Sequence, residues 1–189
     1  MSAQDSKLFV ISGPSGAGKG TLVTRGRERR SNLGLTVSAT TRAPRKGEVD
    51  GVNYFFLTRE EFDRRVANGE FVEWAEVHGN CYGTLVSEVT SKLASGASLI
   101  LEIDVQGALQ VKERFPEAVL IFIKPPSLEV LRERLVGRGT ETPETIELRM
   151  ANAADELALA DRYDDVVVND DLDRATDELV RVLDMHERI

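Results

Sequence analysis

The residues with the plainest chemical meaning form one unbroken run, Gly13-Pro14-Ser15-Gly16-Ala17-Gly18-Lys19-Gly20-Thr21. Glycines at this spacing let successive backbone N–H groups turn toward one point, which suits phosphate oxygens. A lysine closing such a loop reaches the β- and γ-phosphates of a nucleotide, and a helix that starts there adds partial positive charge. The apolar run Leu8-Phe9-Val10-Ile11 precedes the loop and a helical pattern follows it, which is the strand–loop–helix context that a phosphate loop demands. Gly13 through Thr21 are therefore the candidate triphosphate-binding residues. The hydroxyl that usually follows the lysine is displaced by one place: Gly20 stands there and Thr21 carries it.

Two arginine groups point the same way. Arg42 and Arg45, within Ser38-Ala39-Thr40-Thr41-Arg42-Ala43-Pro44-Arg45-Lys46-Gly47-Glu48, are spaced to converge on one anion, and a planar guanidinium holds phosphate oxygens bidentately. Arg132, Arg134, Arg138 and Arg149 surround Gly137-Arg138-Gly139-Thr140-Glu141-Thr142, where glycines flanking an arginine suggest a mobile lid. Arg132 is read as an exposed helix arginine paired with a neighbouring glutamate such as Glu129, Glu133 or Glu147. Asp104-Val105-Gln106-Gly107 resembles the Asp-x-x-Gly of GTPases, but no Asn-Lys-x-Asp guanine-reading motif occurs in the chain, which argues against a GTPase.

These residues need elements to position them. Short apolar runs predict buried strands at Leu8–Ile11, Leu99–Ile103, Val119–Ile123 and Val166–Val168, with a further short strand near Leu35 to Val37. Helical spacing separates them: Lys19 to about Arg30; Leu85, Val89 and Leu93; Leu128, Leu131 and Leu135 after a Ser127 cap; Ile146, Met150, Ala153 and Leu157 after Thr142-Pro143; and Leu172, Ala175, Leu179 and Val182 after Asp171. Strands alternating with helices imply an α/β fold with a parallel core sheet flanked by helices. Residues 38–84 break that rhythm with Tyr54-Phe55-Phe56-Leu57 and Phe71-Val72-Glu73-Trp74-Ala75-Glu76-Val77 around a short helix at Glu60 to Asn68, and read as a small mixed-sheet insertion.

Composition sets the outer bounds. At 189 residues with 41% apolar and 30% charged positions, the chain can bury roughly 70% of its unfolded surface as one domain. No apolar run approaches the ~20 residues of a membrane helix, and the N-terminal residues do not read as a signal peptide. Between Asp155 and Ile189 there are 12 acidic and 4 basic residues, which carry the whole net charge of −8. That balance argues against nucleic-acid or anionic-membrane partners. The single cysteine, Cys81, cannot form an internal disulfide, and a cytoplasmic protein is expected. His78 and His186 lack partners at metal-ligand spacing, and Trp74 reads as core.

Taken together, the motifs resemble those of the guanylate kinase family over about residues 6 to 185. The matching stretches are Gly13 to Lys19, Ser38-Ala39-Thr40-Thr41-Arg42-Ala43-Pro44-Arg45, Gly79-Asn80-Cys81-Tyr82-Gly83-Thr84, Ile103-Asp104-Val105-Gln106-Gly107, Gly137-Arg138-Gly139-Thr140 and Val168-Asn169-Asp170-Asp171. The Gly-Lys-Gly-Thr ending of the phosphate loop is itself shared with several nucleoside-monophosphate kinases. The resemblance implies a P-loop NTPase fold with core segments 1–37, 85–131 and 150–189, a GMP-binding insertion at 38–84 and a lid at 132–149. It implies phosphorylation of GMP and dGMP by ATP with Mg²⁺, in a monomer or weak homo-oligomer.

By the same resemblance, Ser38, Arg42, Arg45, Tyr54 and Tyr82 hold GMP, chiefly its phosphate, while Glu73, Thr84 and Asp104 surround the guanine. Gly13 to Thr21, Arg134, Arg138 and Asn169 hold ATP, and Lys19, Arg42, Arg138 and Arg149 are the catalytic charges. The chemistry is coherent: a carboxylate such as Glu73 accepts from the guanine N1–H and N2–H₂ donors, and a hydroxyl such as Thr84 can donate to O6. Adenine would turn an unprotonated N1 toward the same carboxylate. Glu102 stands where the family usually has Asp. No direct Mg²⁺ ligand is assigned; Thr21 and Glu102 are expected to act through water. Two rivals remain: a kinase-like interaction module without chemistry, which intact Lys19, Arg138 and Arg149 oppose, and an AMP kinase, which Glu73 with Thr84 opposes. Cys81 is read as a packing thiol.

Overall fold

The computed structural model describes residues 6–30, 32–77, 79–137, 139 and 142–188. In chain order the elements are β1 (Leu8–Ser12), α1 (Lys19–Arg29), β2 (Leu33–Leu35), β3 (Ala39–Thr40), β4 (Phe55–Phe56), α2 (Arg59–Ala67), β5 (Phe71–Val77), β6 (Asn80–Leu85), α3 (Val86–Ala94), β7 (Ser98–Glu102), α4 (Val105–Arg114), β8 (Val119–Lys124), α5 (Leu128–Gly137), α6 (Pro143–Leu157), β9 (Asp165–Val168) and α7 (Leu172–Glu187).

Strand β1 is the middle of a parallel sheet ordered β2-β7-β1-β8-β9. Its five buried residues divide by alternation. Phe9 and Ile11 enter one apolar cluster with Leu22, Val23, Leu179 and Leu183. Leu8 and Val10 enter the other with Val89, Val105, Ala108 and Val111. Helices thus cover both faces, and the near-continuous apolar strands follow from that. After β1 the chain fills one flank of the sheet and then the other, so a crevice opens at the carboxyl end of β1.

Helices α1 and α7 lie against each other. Arg25 pairs with Asp173, Arg29 with Asp177, and Arg30 with both Asp184 and Glu187. Gly26 faces Leu179: a Cβ there would stand 3.6 Å from Leu179 Cδ2, an ordinary van der Waals contact. The acidic excess of the C-terminal stretch therefore meets, in part, the arginines of α1. The Arg25 and Arg29 pairs are exposed and contribute little singly, whereas Arg30 and Glu187 are largely buried; Leu22, Leu179, Val182 and Leu183 add the apolar contact.

The second sheet has the order β4-β3-β6-β5. Its β3–β4 pairing is parallel, whereas β3–β6 and β5–β6 are antiparallel, so the break in rhythm at 38–84 is a mixed sheet as expected. Helix α2 covers one face through Phe62, which packs with Ala39, Phe71, Cys81 and Leu85. The caps at Thr142 and Asp171 are formed, each side chain accepting from the backbone N–H three residues on.

Two sequence expectations move. The strand placed near Leu35 to Val37 is at Leu33–Leu35, because the Val37 N–H turns to Glu88 Oε1 at 2.9 Å instead of continuing the ladder. Trp74 is not core: alternation along β5 turns Glu73 inward and Trp74 outward, where the ring stays 41% exposed with its edge on Phe62.

Candidate functional site

The run Gly13 to Gly18 forms the turn between β1 and α1, and Lys19 opens the helix. Gly13 has φ +137, and a Cβ there would meet the Ile123 carbonyl oxygen at 2.3 Å. Gly18 has φ +91, and its Cβ would strike Asn169 Nδ2 at 2.4 Å. Only glycine fits either place. Lys19 Nζ folds back over the loop, donating to the Gly13 and Pro14 carbonyls at 2.6 and 3.1 Å.

Distant residues converge on this loop. Asn169, just after β9, donates through Nδ2 to the buried Ala17 carbonyl at 2.8 Å. Arg134 Nη2 donates to the Asn169 carbonyl at 2.8 Å, and Arg149 donates to the Ser15 hydroxyl. Arg134 and Arg149 come from α5 and α6, which pack through Leu131, Leu135, Ile146 and Ala153. Arg138 and Thr140 lie outside the described residues, as does His78. Arg132 pairs with Glu147, in keeping with the bland reading of that arginine.

The mixed sheet carries a second group. Arg42, just past β3, lies with its Cζ 5.4 Å from the Tyr54 ring centroid, and Tyr54 meets Tyr82 edge-on at 6.2 Å. The anion that Arg42 meets belongs to this chain: Glu48 accepts from the Arg42 guanidinium at 2.8 Å and, at 2.7 Å, from the backbone N–H of Arg45 rather than from its side chain. Ser38 is half-buried beside them, and its carbonyl accepts from the Phe55 N–H at 2.9 Å.

Glu73 and Thr84 face each other across the β5–β6 ladder, and the buried Thr84 hydroxyl donates to Glu73 Oε1 at 2.8 Å. A Cβ on Gly107 would lie 3.4 Å from Glu73 Oε2 and 3.7 Å from Asp104 Oδ1, so the first turn of α4 sits between the two carboxylates. Asp104 caps that helix through the Gly107 N–H at 2.8 Å. Burial pushes the Glu73 carboxyl up to about 7; Asp104 pushes the same way and the Thr84 hydrogen bond opposes.

Between the groups lie further acids. Glu102, at the end of β7, brings Oε1 to 3.5 Å from where a Gly20 Cβ would stand; burial raises its pKa and Lys19 opposes. Glu156, absent from the sequence-derived site, is raised by burial and feels both Lys19 and Asp104. Nothing in its spacing separates it from Glu144 or Glu147 on the same helix. Among the described residues no cluster of three His, Cys, Asp or Glu could hold a metal by itself. A Mg²⁺ ion carried by nucleotide phosphates needs only one or two protein carboxylates, often through water. Glu102 beside Gly20, where the missing side chain leaves room, fits that need. Thr21, exposed one residue on, fits only through water.

Cys81 is buried and burial raises its thiol pKa, as a packing thiol requires. His186 bonds Asp165 at 2.6 Å, a structural role. No helix among the described residues is long and apolar enough to cross a membrane.

A glycine-rich turn at the crevice of a parallel sheet, with a lysine on it and a cationic, carboxylate-bearing unit beside it, defines a P-loop phosphotransferase. Residues 5–186 match the family model described as guanylate kinase. A guanylate kinase of Gloeobacter violaceus is 56% identical over 178 residues, covering 94% of this chain and 87% of the relative. One from Halalkalibacterium halodurans is 52% identical over 183 residues, covering 97% and 90%. The crystal structure of guanylate kinase from Anaplasma phagocytophilum superposes with a TM-score of 0.73 at 38% identity, covering 96% of this chain and 86% of the other. The chain belongs to the guanylate kinase family.

Proposed function

We propose that this chain transfers the γ-phosphoryl group of ATP to GMP, and to dGMP, giving ADP and GDP or dGDP. The observation that carries the acceptor's identity is the buried Glu73, paired with Thr84 at 2.8 Å and neighboured by Asp104. A buried carboxylate there accepts from two adjacent donors, which guanine presents and adenine does not.

The phosphate of GMP is already largely dianionic at neutral pH, its second pKa being about 6, so no strong base is required. The barrier is repulsion between two polyanions, and the remedy is positioning together with positive charge. Lys19 and the backbone N–H groups of residues 15–21 hold the donor phosphates, with Asn169 and Arg134 bracing the loop from outside. Arg149, already at Ser15, and Arg138 bring charge from the 132–149 segment, which we read as the lid. Arg42, Arg45, Tyr54 and Tyr82 receive the acceptor phosphate, and Ser38 lies beside the nucleotide. Glu102 would help hold Mg²⁺ brought in with ATP, and the ion would supply positive charge against the phosphates. Closing 132–149 over 38–84 excludes water and so suppresses ATP hydrolysis. The core at 1–37, 85–131 and 150–189 is the fixed frame. We place the protein in the cytoplasm, as a monomer or weak homo-oligomer acting on small molecules.

A coupled assay of ADP formation with GMP, dGMP, AMP, CMP and UMP tests the proposal. GMP and dGMP should turn over fastest; fastest turnover with AMP would refute it.

A further inference from the structure

Resting on the reading that the acceptor phosphate binds at Arg42, we propose that Glu48 is a positioning residue that holds the Arg42 guanidinium ready for that phosphate. Arg42 Nη2 donates to both carboxylate oxygens of Glu48, at 2.8 and 3.0 Å. The Arg45 N–H donates to Glu48 Oε2 at 2.7 Å, and the Glu48 N–H returns to the Arg45 carbonyl at 3.0 Å. Side chain and backbone thus close one turn at two points, and Gly47 at φ +90 lets the chain reverse there.

The guanidinium is fixed from other sides as well. Arg42 Nη1 donates to the Ala43 carbonyl at 2.8 Å, and Cζ lies 5.4 and 5.9 Å from the Tyr54 and Phe56 ring centroids. An arginine loses rotamer freedom when it grips an oxyanion; here that loss is taken on folding, before substrate arrives. Glu48 also offsets charge in a loop where Arg42, Arg45 and Lys46 lie close together in sequence. Its pairing with Arg42 lowers its pKa, which keeps it ionised through the neutral range. A planar guanidinium offers donors on more than one edge, so a carboxylate on one edge leaves another for phosphate.

Steady-state kinetics on the full chain test this. Glu48→Ala should raise the KM for GMP about tenfold with the KM for ATP unchanged, because the cost falls on acceptor positioning alone. Glu48→Gln keeps an oxygen for the Arg45 N–H and should give a smaller rise, about threefold. In an Arg42→Ala background Glu48→Ala should add nothing, since Glu48 acts through Arg42. A normal or lowered GMP KM in Glu48→Ala, or an undiminished further loss in the Arg42→Ala background, overturns the proposal. If Glu48→Ala does not fold, Glu48→Gln decides alone, and a normal GMP KM there overturns it. Arg42→Ala separates the two levels. An unchanged GMP KM in that variant removes the acceptor-phosphate reading and Glu48's role with it. A raised KM there beside a normal one in the Glu48 variants removes only the role of Glu48.

Discussion

Thr84 donates its one hydroxyl proton to Glu73, 2.8 Å away, across the β5–β6 ladder. While that bond stands, Thr84 can only accept from a ligand, and Glu73 keeps its other oxygen, Oε2, on the side of Gly107 and Asp104. On the proposed reading, recognition of the base centres on the ionisation of Glu73.

Glu73→Gln should lower kcat/KM for GMP by about a hundredfold or more, since an amide places a donor against guanine donors. The same change should stabilise the ligand-free protein above neutral pH. Glu73 has a folded pKa of about 7 against an ordinary 4.5, so its contribution to stability is full below about 4.5 and is lost as pH rises through about 7. The difference corresponds to about 3 kcal/mol. Thermal unfolding at pH 5 and pH 8 should show the Gln variant gaining on the parent far more at pH 8.

The pH profile of kcat/KM for GMP should rise through about 7, because the ionised carboxylate is the form that accepts both guanine donors. Initial rates at low GMP between pH 5.5 and 8.5 check this. In Glu73→Gln the step near 7 should vanish, leaving only the phosphate ionisation near ~6.

Thr84→Val should move that profile to higher pH. The hydroxyl bond favours the ionised form of Glu73, and its loss removes an interaction of about 1.5–3 kcal/mol to a charged group, a shift of roughly one unit or more. An unmoved profile would show that the hydroxyl does not set the ionisation.

Asn169→Ala should leave the buried Ala17 carbonyl without its Nδ2 partner, costing about 1–3 kcal/mol. It also withdraws the side chain against which Gly18 is packed. A lower Tm together with a higher KM for ATP, and an unchanged KM for GMP, is the expected pattern.

Lys19→Ala should reduce kcat by about a thousandfold or more, as expected for removal of a fixed positive charge at the transferred group. Its Nζ donates to two carbonyls of its own loop, so folding should be little affected. Circular dichroism alongside the ADP assay separates the two effects.

What could be read from sequence was local. Leu8 to Thr21 carries its own strand, turn and helix start, so the phosphate loop was legible from one stretch of residues. The caps at Thr142 and Asp171 were legible for the same reason. Glu73 and Thr84 were named by resemblance, but their bond to each other was not visible. It depends on the irregular register of β5 against β6 between Phe71 and Glu73, which the residue types do not encode. Glu48 closes the Ser38–Glu48 run, but its value comes from a turn that brings it back on Arg42, which residue types alone do not encode. Glu156 reaches the neighbourhood of Lys19 only through tertiary packing of α6. Trp74 was misplaced because one face of β5 is only partly covered by α2.

The pairing of α1 with α7 has a consequence for biosynthesis. Arg25 and Asp173 are 148 residues apart along the chain, yet α7 supplies Leu179, Val182 and Leu183 to the apolar face behind the phosphate loop. A ribosome delivers that loop early and its backing late. Nascent chains stalled before α7 would thus be blind to ATP, and competence to bind it would arise only once α7 has been made.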